Sequence, residues 1–297
     1  MIRRLLPILL ILLLVACQDD EENSLQSSCV VEGWIEDGGF PIVKLTQSMP
    51  VYTDRRRTSL NSLDQYVIKW ARVTISDGSQ TVTLTGKMDG DYFPPYVYTT
   101  TSLRGKAGRT YTLTVYRDDE PPIIAQTTIP EKKGTLIDSL TFEPVSTSDT
   151  LFQVFAHVTI QPQPVTYYRI YVNPDLNSSQ DFLPSLLGVM RSDMISNGRI
   201  SVNQGRANIR LAENIEDIGK NNSYSPYFTY GDTVMVRLCQ IDSTAYEYWR
   251  SYEDMLSLST TPLFPTTVNM PMPIPNIYGF WQGWQSEYRL IALPKKP

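Results

Sequence analysis

The chain has 297 residues, a formal charge of −5, and 31 acidic against 26 basic side chains. With Arg55-Arg56-Arg57 as its one basic run, it lacks the basic patch that nucleic acid requires. One histidine rules out a two-histidine zinc motif.

The first element reads as an export signal. Arg3 and Arg4 precede the apolar stretch Leu5 to Leu14, broken by Pro7. That stretch is far shorter than the roughly 20 apolar residues of a membrane span, and it has the charge order of a secretory signal. Leu14-Val15-Ala16-Cys17 resembles the lipobox of bacterial lipoproteins, which implies a lipoprotein signal peptide over residues 1–16 and lipidation at Cys17; an uncleaved N-terminal helix or an ordinary signal peptide is the alternative. Residues 17–28 read as an acidic flexible tether, because Gln18-Asp19-Asp20-Glu21-Glu22 is self-repelling and well solvated. A glutamine followed by acids also resembles the signal that one Gram-negative phylum uses to send lipoproteins to the outer face of the outer membrane. The expected location is therefore the outer membrane, lipid-anchored and facing the medium.

Strands follow. Cys29 to Ile35 and Pro41 to Thr46 are apolar, β-branched runs separated by the turn residues Asp37-Gly38-Gly39. Ala71 to Ile75, Ser76 to Ser79, and Gln80 to Leu84 read as strand, turn and strand. In Gly105 to Tyr116 the glycines predict a tight turn, and Tyr111, Leu113 and Val115 share a face. This hairpin resembles the late hairpin of immunoglobulin-like sandwiches. Ile123 to Ile129 adds a strand and Pro130 to Gly134 a linker. The protein is thus expected to be mainly β, with an immunoglobulin-like β-sandwich over residues 29–130.

Residues 135–297 read as a second β-rich domain. Phe152, Val154, Ala156, Val158 and Ile160 alternate onto one face; Thr166 to Val172 and Thr233 to Ile241 are further strands. Residues 173–225 are rich in Asn, Ser and Gly, with Phe182 to Met190 ambiguous. A helix is predicted over about 243–258, capped by Ser243, with Tyr246, Trp249, Tyr252 and Leu256 at helical steps. Five prolines keep 261–278 extended, and Tyr288 to Leu293 reads as the last strand.

Catalytic and metal-binding patterns do not emerge. His157 lies on the strand face opposite Val154 and Val158, with no G-x-S-x-G elbow to serve. Asp89 and Asp91, and Asp118-Asp119-Glu120, fit turns and lack the ligand order of a calcium loop. There is no cofactor fingerprint. Cys29 and Cys239 are left either to bridge or to be buried independently. Aromatic residues cluster at Tyr224, Tyr227, Phe228 and Tyr230, and again at Tyr278, Phe280, Trp281 and Trp284. The second cluster is a candidate binding surface, with packing between the two domains as the alternative. Ser139, Thr150, Thr233 and Ser243 each follow an aspartate, in triplets that resemble O-glycosylation sites of the same phylum; turn-to-strand chemistry is the alternative.

Several motifs occur in a recognisable order: the lipobox, Cys29 to Ile35, the Gly105 hairpin, Ile137-Asp138-Ser139-Leu140, Tyr246-Glu247-Tyr248-Trp249, and Pro275-Asn276-Ile277-Tyr278-Gly279-Phe280. In that order they resemble the lipoprotein family of domain of unknown function 4249, over nearly the whole mature chain. Tyr278-Gly279-Phe280-Trp281 departs from the Gly-Gly-x-Gly usual in the family. The family has no assigned enzyme activity. The resemblance implies an accessory role in nutrient capture beside a TonB-dependent outer-membrane transporter. A structural or adhesive surface protein and a carboxylate-dependent hydrolase are the other two readings.

Overall fold

The computed structural model describes residues 28–48, 64–117, 120–131, 134, 136–160, 164–173, 182–204, 225–259, 270–275 and 277–296. Cys17, most of the tether, Arg55 to Arg57, Asp118, Asp119, Tyr224 and much of the proline-rich stretch lie outside them.

The first half contributes β1 (Cys29–Glu36), β2 (Ile42–Gln47), β3 (Arg72–Ser76), β4 (Thr81–Thr83), β5 (Thr85–Met88), β6 (Tyr96–Thr99), β7 (Thr110–Tyr116) and β8 (Ile123–Thr128). The second half contributes β9 (Ser139–Pro144), β10 (Leu151–His157), β11 (Tyr167–Asn173), β12 (Leu183–Arg191), β13 (Arg199–Val202), β14 (Phe228–Thr229), β15 (Thr233–Ile241), helix α1 (Ser243–Ser259) and β16 (Tyr278–Ala292). The chain is mainly β, with one α-helix among the described residues.

Alternation drives the packing. β1 buries Cys29, Val31, Gly33 and Ile35 and half-exposes the residues between them. β7 buries Tyr111, Leu113 and Val115 completely. These positions meet Val43, Leu45, Val73 and Ile75 in the core of the first sandwich. A second core gathers Phe152, Val154 and Ala156 from β10 with Ile170, Val172, Val234, Val236 and Leu238.

The two β-units do not stand apart. One eight-stranded sheet runs β12-β11-β15-β16-β1-β2-β6-β5, crossing the expected boundary, while β4-β3-β7-β8 and the four strands around β10 each cover one end of it. β16 is the joint. Its residues 278–284 run parallel to β1, from Val30 opposite Tyr278 to Glu36 opposite Trp284. Its residues 285–292 pair antiparallel with β15, from Gln240 opposite Gln285 to Thr233 opposite Ala292. The expected last strand, 288–293, is thus the far end of a 15-residue strand.

Two glycines explain the shorter expectation. Glycine normally weakens a strand, but here both mark places where another backbone comes close. Gly279 has φ +111°, and a Cβ there would collide with the Val31 carbonyl oxygen. A Cβ on Gly283 would stand 2.7 Å from the backbone nitrogen of Ile129.

The outer face of the large sheet carries α1. Its cap is Asp242, not the expected Ser243: the Asp242 carboxylate accepts from the Ala245 amide at 2.7 Å, two residues further into the helix than Ser243. This is the usual N-cap geometry, and it leaves Ser243 exposed as the first helical residue.

Candidate functional site

The four candidate aromatics of the C-terminal cluster fall on β16, and alternation divides them. Tyr278 is half-exposed at the start of the strand. Trp281 points into the first core, where its Nε1 donates to the Tyr111 carbonyl at 3.1 Å. Phe280 and Trp284 point to the opposite face, beneath α1. Phe280, Trp281 and Trp284 are each at most 5% exposed, so three of the four are packing residues rather than a binding surface. Periodicity alone could not reveal this, because both faces of β16 are covered.

The cysteines are free and buried in separate clusters, Cys29 in the first core and Cys239 under the helix. Cys29 precedes the Val30–Tyr278 pair, whereas Cys239 lies opposite Ser286. Eight steps along β16 separate those levels, roughly 26 Å at 3.3 Å per residue, and no bridge spans that. Independent burial is the alternative the fold adopts. Burial pushes the Cys29 thiol pKa up.

The remaining residues singled out in the sequence are dispersed. His157 is half-buried on the outer side of β10, its Nε2 2.8 Å from the Thr141 hydroxyl. Ser139, Thr150 and Ser243 are exposed and Thr233 is half-buried. The aspartate before Thr233 serves the backbone: the Asp232 carboxylate accepts from the Thr229 amide at 2.8 Å. Asp138 accepts from the Thr159 hydroxyl at 2.8 Å. Phe228 is fully buried, and Tyr230 packs edge-on against Phe152. Asp89 accepts from the Asp91 amide in a turn. Among the described residues, no group of three His, Cys, Asp or Glu is placed to hold a metal ion.

What the topology does assemble is an aromatic surface on the outer face of the large sheet, where both units and β16 meet. Trp34 of β1 stacks on Trp284 of β16, rings 5.3 Å apart and 11° from parallel. Tyr92, from the turn before β6, leans on Trp34 at 5.9 Å. From the second unit, Phe182 packs edge-on to Tyr288 at 5.5 Å, and Tyr171 lies 5.7 Å from Trp284.

An ion pair sits among these rings. Glu36, the last residue of β1, pairs with Arg237 of β15. The same carboxylate accepts from the Ser286 hydroxyl at 2.8 Å and from the Tyr288 hydroxyl at 3.3 Å. The Arg237 guanidinium lies 4.9 Å from the Trp284 ring centre and 5.2 Å from that of Tyr171. Aromatic faces attract such a cation, and the carboxylate neutralises it. Burial raises the pKa of Tyr288, with Arg237 partly opposing.

A second buried arginine extends the surface toward the helix. Arg169 of β11 stacks on Trp249 of α1, 3.2 Å from the ring centre. Its Nε and Nη1 have no hydrogen-bond acceptor among the described residues. Glu253, one turn further along α1, is pushed up to about 7 by burial, with Arg169 partly opposing. Trp249 and Trp284 both donate to the Gln282 side-chain oxygen, at 2.8 and 3.2 Å.

The inner members of this surface are sealed, while Trp34, Tyr92 and Phe182 are partly exposed and Tyr288 is 42% exposed. The rim can offer flat apolar faces and tyrosine hydroxyls to a partner. Trp34, Tyr92, Phe182 and Arg237 were not legible as a group: they come from four distant segments.

A family model described as domain of unknown function (DUF4249) matches residues 18–287. No curated protein matches the chain.

Proposed function

The chain belongs to the family of domain of unknown function 4249, and on that premise we propose that it is an outer-membrane lipoprotein, anchored through Cys17, that works by binding. In this reading it faces the medium and serves as an accessory subunit of a TonB-dependent transporter in nutrient uptake. The observation that carries the binding role is the aromatic rim of Trp34, Tyr92, Phe182 and Tyr288, built jointly by both units over a neutralised ion pair. Rigid aromatic side chains lose little entropy on contact, which makes them effective anchors. The sequence of residues 1–22 supports the anchor and the outward address.

Purification of the native lipoprotein in mild detergent tests the proposal. A transporter should co-purify with the wild-type chain and be lost from a Tyr92→Ala/Tyr288→Ala double variant of unchanged melting temperature. Equal recovery of the transporter with both chains would reject the rim as the contact. Absence of any transporter would reject the partnership.

A further inference from the structure

Trp70 is 91% exposed, far more than any other large apolar side chain described. It stands on the crossover from β2 of the large sheet to β3, and the register fixes its position along the sandwich. Val67 bridges to Thr46, and the Ile68 amide donates to the Leu45 carbonyl at 2.9 Å. Those residues end β2, opposite the beginning of β1: Gln47 faces Cys29, and the Ser48 amide donates to the Ser28 carbonyl at 2.8 Å. Two residues after Trp70, Arg72 pairs with Tyr116 at the end of β7. Trp70 therefore lies at the end of the first sandwich from which the chain leads back to Cys17.

Other amphipathic side chains gather at that end. The Arg72 guanidinium lies 3.8 Å above the centre of the Tyr116 ring, and Tyr116 is itself 37% exposed. Arg117 follows, paired with Glu120. Tyr278 opens β16 opposite Val30 and is 51% exposed, and Met272 just before it is 48% exposed. Tryptophan and tyrosine beside arginine is the composition that settles at a membrane–water interface, where rings meet the headgroup level and guanidinium groups meet phosphate.

We propose that this end of the first sandwich seats on the lipid surface, with Trp70 inserted at headgroup level. The inference rests on the lipid anchor at Cys17. A chain from Cys17 to Ser28 spans at most roughly 40 Å, so the anchor keeps this end close to the headgroups and makes a weak contact effectively intramolecular. Trp34 of the aromatic rim pairs with Gln282, four residues further along β16 than Tyr278. Seating would hold the rim roughly 13 Å or more above the headgroups, facing the mouth of a neighbouring transporter rather than the lipid.

The test uses the full lipidated chain in vesicles of phosphatidylethanolamine and phosphatidylglycerol, a share of whose acyl chains carry bromine near the headgroup. Bromolipid should quench tryptophan emission of the wild type, and the quenching should disappear in Trp70→Ala. Trp70→Tyr provides a second variant should the alanine chain melt early. Mass spectrometry of the N-terminal peptide reports acylation of Cys17 independently. An acylated chain whose emission bromolipid leaves unchanged, or quenches equally in the variants, overturns the seating alone. A chain without acyl groups overturns the anchor and the seating together. Quenching that is absent in vesicles, with shielding of Trp70 only after outer-membrane protein is added, assigns the contact to a protein and overturns the lipid proposal.

Discussion

The Trp281 indole reaches across the first core to the main-chain carbonyl of Tyr111, 3.1 Å away and 170 residues distant in sequence. Tyr111 in turn accepts a hydrogen bond from the Lys106 amide through its hydroxyl, at 2.8 Å. A residue near the C-terminus thus holds the central hairpin of the N-terminal sandwich.

Trp281→Ala should therefore destabilise the N-terminal sandwich, although its sequence position places it in the second half. Loss of a buried tryptophan costs about 3–5 kcal/mol. Thermal melting should fall sharply for this variant, whereas the exposed Tyr278→Ala should lie within about 0.5 kcal/mol of wild type.

Gly279→Ala should break the seam between β1 and β16. Its backbone has φ +111° and its Hα side faces the Val31 carbonyl. Strain of this kind costs about 1–3 kcal/mol even without a clash. Amide hydrogen exchange should show lost protection on both sides of the seam, in 30–36 and in 278–284; loss confined to one strand would contradict the pairing.

Glu36→Gln should cost more than a surface charge does, since it strands the Arg237 guanidinium among aromatic rings. Breaking a buried pair costs about 3–5 kcal/mol, and the partial exposure of Glu36 places this one at the lower end. Glu36→Gln/Arg237→Met should recover part of the loss, and a double-mutant cycle in urea measures it.

Glu253 gives a pH dependence of defined sign. Its folded pKa is raised to about 7 from 4.5, so the folded chain holds a proton that the unfolded chain releases first. Stability should fall as pH rises from about 4.5 to about 7, then level off. Glu253→Gln should flatten that slope and melt higher than wild type at pH 8. A variant that melts lower at pH 8 would show the ionised carboxylate to be stabilising.

Thiol titration separates free from bridged cysteines. In non-reducing denaturant, Cys29 and Cys239 should both react with a thiol reagent, and both should react slowly in the folded protein because they are buried. Absence of reactive thiols in denaturant would reveal a bridge and a different register.

Much of the fold is visible in local sequence, because most strands have one dry face and one wet face. Tyr111, Leu113 and Val115, and likewise Phe152, Val154 and Ala156, alternate with half-buried or exposed neighbours, and the structure places them as alternation predicts. β16 escapes because both its faces are buried from Gly279 to Gln285, so alternation vanishes, and because its glycines answer to distant backbone. β13 and β14 are too short for a period to register. The aromatic rim was hidden for a different reason: its members share no sequence neighbourhood, and strand pairing across the whole eight-stranded sheet brings them together.

The parallel seam also sets an order of events. β1 is among the earliest structured segments made, yet the partner for one of its edges spans residues 278–284. Until that segment arrives, Val30 to Glu36 has one unpaired row of backbone donors and acceptors, and β15 waits for residues 285–292 of the same strand. An exposed strand edge recruits whatever strand is near, so the folding chain is at risk until residues 278–292 are in place. A chain cut before residue 278 would lose the shared central strand of both units at once, leaving two open edges rather than one intact domain. For this architecture, closure of both units waits on a single C-terminal strand.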